Sequence, residues 1–151
     1  MYEIIQLKPE QFQRCSNIWD INKQNRMADY FYKQLIEGNR ITFIYMENHQ
    51  FIGEASLVFE QDDPQYTIPN QRIYISRMIV KEGHQNRGIG GILLSYLITY
   101  AKEKGYKEMS LGVDIDNENA RYLYEKYGFN DVLFEGEDEY GKYVKLLKKI
   151  N

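Results

Sequence analysis

The chain has 151 residues and is poor in the groups that staple, interrupt or anchor a protein, with one cysteine and three prolines. Cys15 cannot close an internal disulfide, and Met1 to Lys8 lack the basic-then-apolar order of a secretory leader, so a reducing cytoplasm is the expected location. No run approaches the ~20 consecutive apolar residues that cross a bilayer. Repeats and low-complexity tracts are missing, and Pro9, Pro64 and Pro69 are too few to mark a linker; residues 1–151 are expected to form a single domain. An excess of positive charge is also missing. The 19 basic and 22 acidic residues leave a net charge of −3, which disfavours nucleic acid as a bulk partner and an anionic membrane as a docking surface.

What is present is a globular composition, 43% hydrophobic and 27% charged, outside the range in which chains stay disordered. Aromatic residues reach 15%, with 14 tyrosines, 7 phenylalanines and 1 tryptophan, more polar-tipped aromatic surface than a core of this size requires. After a short apolar start at Tyr2 to Leu7, Pro9 opens a helix with Phe12, Cys15, Ile18 and Trp19 at roughly helical spacing, and a second helix runs near Met27 to Glu37. Ile41 to Met46 and Phe51 to Phe59 read as a hairpin about Glu47-Asn48-His49-Gln50, and Gln61 to Gln71 read as a loop. Arg72 to Val80 is apolar on both faces, as a covered central strand should be.

Ile89, Ile92, Leu93, Tyr96, Leu97, Tyr100 and Ala101 line one face of a helix that ends at Gly105. A strand over Glu108 to Ile115 leads to a helix capped at Asp116 or Asn117 and closed by Gly128. Phe129 to Phe134 and Tyr140 to Leu147 predict two last strands around an acidic turn at Glu135 to Glu139. The order is that of an α/β layer fold with a mixed sheet.

Between the central strand and the long helix lies Lys81-Glu-Gly83-His-Gln85-Asn-Arg-Gly88-Ile-Gly90-Gly91. Glycines let the backbone approach a ligand, and a helix start suits a phosphate. A nucleotide-hydrolysing P-loop would need lysine and a hydroxyl at positions held by Ile89 and Gly90; a dinucleotide fingerprint would need a third small residue where Leu93 stands. Gln85-x-x-Gly88-x-Gly90 instead resembles the pyrophosphate loop of the GNAT superfamily of acetyl-CoA-dependent N-acetyltransferases. Asn117-Glu-Asn-Ala120-Arg-Tyr-Leu123-Tyr124-Glu-Lys-Tyr-Gly128-Phe129 resembles a second element of that family, and both lie in its element order.

The resemblance implies a mixed, mostly antiparallel sheet with splayed central strands, flanked by helices. It implies acetyl-CoA as cosubstrate, with the pyrophosphate held by Gln85, Asn86, Arg87, Gly88, Ile89, Gly90 and Gly91, and the pantetheine arm alongside Met78, Ile79 and Val80. Asn117 and Tyr124, two helical turns apart, would touch the same extended ligand. The implied activity is direct transfer of acetyl to a primary amine of a small molecule or peptide. A backbone N–H at Ile79 or Val80 would serve the oxyanion, and Tyr124, a phenol of pKa ~10 against a thiolate of ~8.5, would serve as general acid.

Some relatives carry a glutamate five residues before the asparagine; Gly112 stands there. Glu54 is the substitute catalytic carboxylate, Asp114 the next, and a water relay needs neither. Cys15 lies remote in sequence from the loop and has no flanking histidine for a covalent route; His49 and His84 have no partners at metal-ligand spacing. Acidic loops at Glu60 to Asp63 and Glu135 to Glu139 favour a cationic amine, and Trp19, Tyr30, Phe31, Tyr32 and Tyr66 form either an acceptor wall or helix packing. A homodimer stays open. The competing reading is a non-catalytic CoA-binding or sensing domain of the same fold, which Gly112 favours and Asn117 with Tyr124 oppose.

Overall fold

The computed structural model describes residues 1–151. Strands are β1 (Tyr2–Gln6), β2 (Arg40–Glu47), β3 (Gln50–Val58), β4 (Arg72–Val80), β5 (Glu108–Asp114), β6 (Asp131–Asp138) and β7 (Gly141–Lys149). Helices are α1 (Asn25–Glu37), α2 (Ile89–Glu103) and α3 (Glu118–Lys126), preceded by a 3-10 helix over Pro9–Asn17. The sheet has seven strands in the order β1-β2-β3-β4-β5-β7-β6. β1 with β2, β5 with β7 and β6 with β7 run antiparallel; β4 and β5 run parallel. The β4–β5 ladder covers only Arg72–Tyr74 against Glu108–Ser110, so both strands outrun their pairing, which is the splay that the resemblance implies. No helix is long and apolar enough to cross a membrane.

Contacts divide the chain into two compact units, Met1–Leu57 with Arg77–Leu93 and Val58–Ser76 with Leu94–Asn151. The first has a core of Leu7, Phe12, Cys15, Ile18, Trp19, Phe31, Ile44 and Phe51, among others. Its β2–β3 hairpin turns through Asn48 and His49 at φ 50 and 64, the left-handed pair that matches strand twist.

The second unit builds on β5 and β7. Leu111 and Val113 pair with Leu146 and Val144 and share one face, all four buried; Ser110, Gly112 and Asp114 share the other with Leu147, Lys145 and Tyr143.

Two sequence expectations need correction. The segment after Pro9 is a 3-10 helix, closed by Ile18 N–H donating to Cys15 O at 2.8 Å. Phe12, Cys15 and Ile18 are spaced by three, and at three residues per turn that spacing keeps them on one buried line. The acidic stretch is not a turn: Glu135 to Asp138 belong to β6, and the chain reverses at Glu139-Tyr140. β6 ends the sheet order, and charges along an edge strand discourage pairing with another chain.

Candidate active site

In the first unit, β4 delivers the chain into the glycine-rich loop. Gly83, Asn86 and Gly88 take φ of 87, 65 and 82, a left-handed geometry that glycine adopts without strain and asparagine tolerates. Gly88 O accepts the first helical bond of α2, from Ile92 N–H at 3.1 Å. The N–H groups of Ile89, Gly90 and Gly91 therefore precede the ladder and have no acceptor inside the helix. Gln85 to Gly88 are exposed, Ile89 is buried and anchors the turn, and a Cβ placed on Gly88 would meet nothing within 4 Å. The exposed residues Gln85 to Gly88 thus lead into three donors without helical acceptors at the positive end of a 15-residue helix. Arg87 is tied to Glu47 at 2.6 Å, so backbone, not side-chain charge, supplies most of the attraction for an anion here.

The end of β4 also has a definite polarity. Lys81 N–H donates to Ile52 O of β3 at 2.8 Å, and by the two-residue alternation of a strand Ile79 turns its peptide group the same way. Val80 turns its N–H and C=O away from β3, where Gln85 Nε2 reaches its carbonyl at 3.4 Å. Of the expected pair, Val80 alone has its N–H outside the β3 ladder.

Glu54, on β3, lies in a closed cluster. It is 4% exposed; Oε1 accepts from Trp19 Nε1 at 2.6 Å, and Oε2 lies 3.9 Å from Arg77 Nε, too far for a hydrogen bond. Burial pushes its carboxyl up, while Arg77 and the Trp19 N–H pull it down. The Arg77 guanidinium stacks 4.5 Å over the Trp19 ring and 5.5 Å from Phe31. Cys15 is fully buried beside Glu54, and burial raises its thiol far above the usual range, which removes the thiolate a nucleophile would need. Trp19 and Phe31 are buried in this cluster, whereas Tyr30 and Tyr32 are exposed.

In the second unit, Asn117 caps α3, its Oδ1 accepting from Ala120 N–H at 3.2 Å. Tyr124 follows on the same helix, half-buried and edge-on to Phe129 at 6.1 Å between centroids. Burial, with a smaller contribution from Tyr74, pushes its phenol up to about 12. Asp114 is exposed on β5.

Sequence reasoning missed Arg77, whose charge interrupts the apolar pattern of β4 and was the available signal, and it missed the role of Gly112. A Cβ there would collide with the Tyr66 hydroxyl, so a side chain at this position requires that hydroxyl to move.

The sequence model of the Acetyltransferase (GNAT) family matches residues 1–129. The chain belongs to the GNAT family. A GNAT relative, [Ribosomal protein bS18]-alanine N-acetyltransferase of Haemophilus influenzae, is 32% identical over 132 residues, covering 85% of this chain and 82% of that protein. The solved ribosomal-protein-S18-alanine N-acetyltransferase of Escherichia coli has a TM-score of 0.79 at 18% identity, over 100% of this chain and 95% of that one. A GNAT acetyltransferase of Elizabethkingia anophelis, solved with acetyl-CoA bound, has a TM-score of 0.69 at 21% identity, over 98% and 97%. The chain is thus an acyltransferase by family, and acetyl-CoA is the family's cosubstrate. A helix start such as that at Ile89 to Gly91, preceded by the exposed Gln85 to Gly88, suits an anion.

Proposed function

We propose that this GNAT chain transfers acetyl from acetyl-CoA directly to a primary amine of a small molecule or peptide, residues 1–151 acting as one domain. The observation that carries the reading is the set of unpaired N–H groups at Ile89, Gly90 and Gly91 behind the exposed loop Gln85 to Gly88. Acetyl-CoA supplies the activated acyl group and a thiolate leaving group. Everything else is work for the chain. Gln85 to Gly91 hold the pyrophosphate, and Met78 to Val80 offer a strand edge to the pantetheine arm. Val80 N–H donates to the oxyanion of the tetrahedral intermediate; Asn117 and Tyr124 line the thiol end of the ligand. Tyr124 gives its proton to the departing sulfur. Glu54 takes the amine's proton, the burial that raises its carboxyl favouring the protonated form it becomes.

The acidic segments support a cationic acceptor less strongly than their composition implies, because Asp63 is spent on Lys145 at 2.6 Å and Glu135 to Asp138 lie in the edge strand β6. Peptide acceptors are supported by the bS18-alanine enzyme, whose name states a protein acceptor.

Direct transfer makes a kinetic prediction. With acetyl-CoA and amine both varied, double-reciprocal plots should intersect, since both substrates must be bound together. Parallel lines would indicate an acetyl-enzyme and overturn the direct route. Cys15, the only thiol, is buried and held protonated, which agrees with the intersecting pattern.

A further inference from the structure

The loop between β3 and β4 is fastened at several points within the second unit. Lys145 Nζ donates to Asp63 Oδ2 at 2.6 Å and to Gln65 Oε1 at 2.8 Å. Arg72 Nη1 donates to Gln65 O at 2.9 Å and Pro64 O at 3.3 Å, and Ser110 Oγ donates to Tyr66 O at 2.5 Å. Gln65 N–H closes back on Asp63 Oδ1 at 2.8 Å. A connection held this firmly is not a passive link.

Its product is one placed side chain. The Tyr66 ring stacks on Tyr74 at 4.2 Å between centroids and 28° between planes, and Lys145 Nζ lies 4.7 Å from its centroid. Stacking and the ammonium hold the ring. None of the bonds that fasten the loop uses its hydroxyl, which stands over Gly112 where a Cβ would otherwise be. Gly112 has ordinary strand backbone, so the demand for glycine is spatial and not conformational. Position 112 is exposed on β5, on the same face as Ser110 and, by register, Tyr74 of β4. Tyr74 in turn is the ionisable neighbour that bears on Tyr124.

We infer that the Tyr66 hydroxyl, held over Gly112, is a further contact for the acceptor: its oxygen accepts a hydrogen bond from the amine N–H and positions the nitrogen for attack. This rests on the proposed acetyl transfer with Tyr124 as acid. Burial raises the Tyr66 phenol, so it stays neutral and acts by hydrogen bonding, not as a base. No proton leaves it during the reaction. Gly112 and Tyr66 thereby form an interdependent pair, the phenol from the loop occupying the place a β5 side chain would take.

The test is Tyr66→Phe, which keeps the ring between Tyr74 and Lys145 and removes only the oxygen. With the amine varied at saturating acetyl-CoA, kcat/KM for the amine should fall by about tenfold, the size of one hydrogen bond of ~1.4 kcal/mol, while KM for acetyl-CoA and the melting temperature stay put. Gly112→Ala should lower kcat/KM similarly in the native background by displacing the hydroxyl. In the Tyr66→Phe background the same alanine should add little, because the nearest remaining ring atom is 3.3 Å from its methyl. A Tyr66→Phe enzyme with native kcat/KM, or two substitutions whose effects simply add, would overturn the proposal and leave acetyl transfer standing. A native enzyme that releases no thiol with any amine would overturn both.

Discussion

Tyr124→Phe should lower turnover by about a hundredfold or more and leave acetyl-CoA affinity nearly intact, as expected when a positioned acid is removed and its ring is kept. The ring is edge-on to Phe129, so phenylalanine preserves the packing and loses only the O–H. The environment also sets the pH dependence. With the phenol pushed up to about 12, Tyr124 is protonated throughout the neutral range, and no basic limb from it should appear in kcat until the pH approaches that value. The same shift makes it a weaker acid than a phenol in water, so proton delivery must accompany growth of negative charge on sulfur rather than precede it. The checks are kcat against pH for native and variant enzyme and the dissociation constant of acetyl-CoA for each. Equal turnover would return Tyr124 to a packing role.

Gly88→Val should weaken acetyl-CoA binding by about a hundredfold, roughly the loss of one or two charge-assisted hydrogen bonds. Valine resists the φ of 82 that Gly88 adopts, and its methyl groups would enter the empty space beside Gly88, next in the chain to the Ile89 to Gly91 donors. Strain and the loss of the site can be separated with a second glycine. Gly105, at the end of α2, has φ 86 and the same empty surroundings, so Gly105→Val carries comparable strain with no ligand nearby. Calorimetric titration should show weak binding for Gly88→Val and native affinity for Gly105→Val. Equal affinities in the two variants would remove the loop from phosphate binding.

Much of this architecture could be read in the chain before any coordinates. The stripe from Ile89 to Ala101 is α2, the doubly apolar run Arg72 to Val80 is β4, and Asn117 caps α3 as its residue type suggests. Such features are local: a period or a cap is written within one element. The 3-10 helix defeated the reading because apolar residues at i, i+3 and i+6 satisfy both helical periods approximately, and only the tight hydrogen bonds decide. Glu135 to Asp138 defeated it because charge normally marks a turn, while here it marks the edge of a sheet whose strand order is not local information.

The site shows the same division. The glycine-rich loop and the Asn117–Tyr124 pair are contiguous motifs. The environment of Glu54 joins residues 35 positions apart, Trp19 and Glu54, and the tyrosine above Gly112 arrives from a loop with no motif. The tyrosine excess acquires a partial explanation. Tyr66 and Tyr74 stack within the second unit, Tyr124 adjoins Phe129, and Tyr2 stacks on Tyr45 between the first two strands.

The central claim is catalysis of acetyl transfer to an amine by this chain. Its most direct test is thiol release from acetyl-CoA by the native protein across a panel of peptides with small N-terminal residues, polyamines and aminoglycosides, with the acetylated product quantified. Amine-dependent release matched one-to-one by acetylated amine is the predicted result. Saturable acetyl-CoA binding without release for any amine would contradict it and mark a domain that holds the cosubstrate without using it.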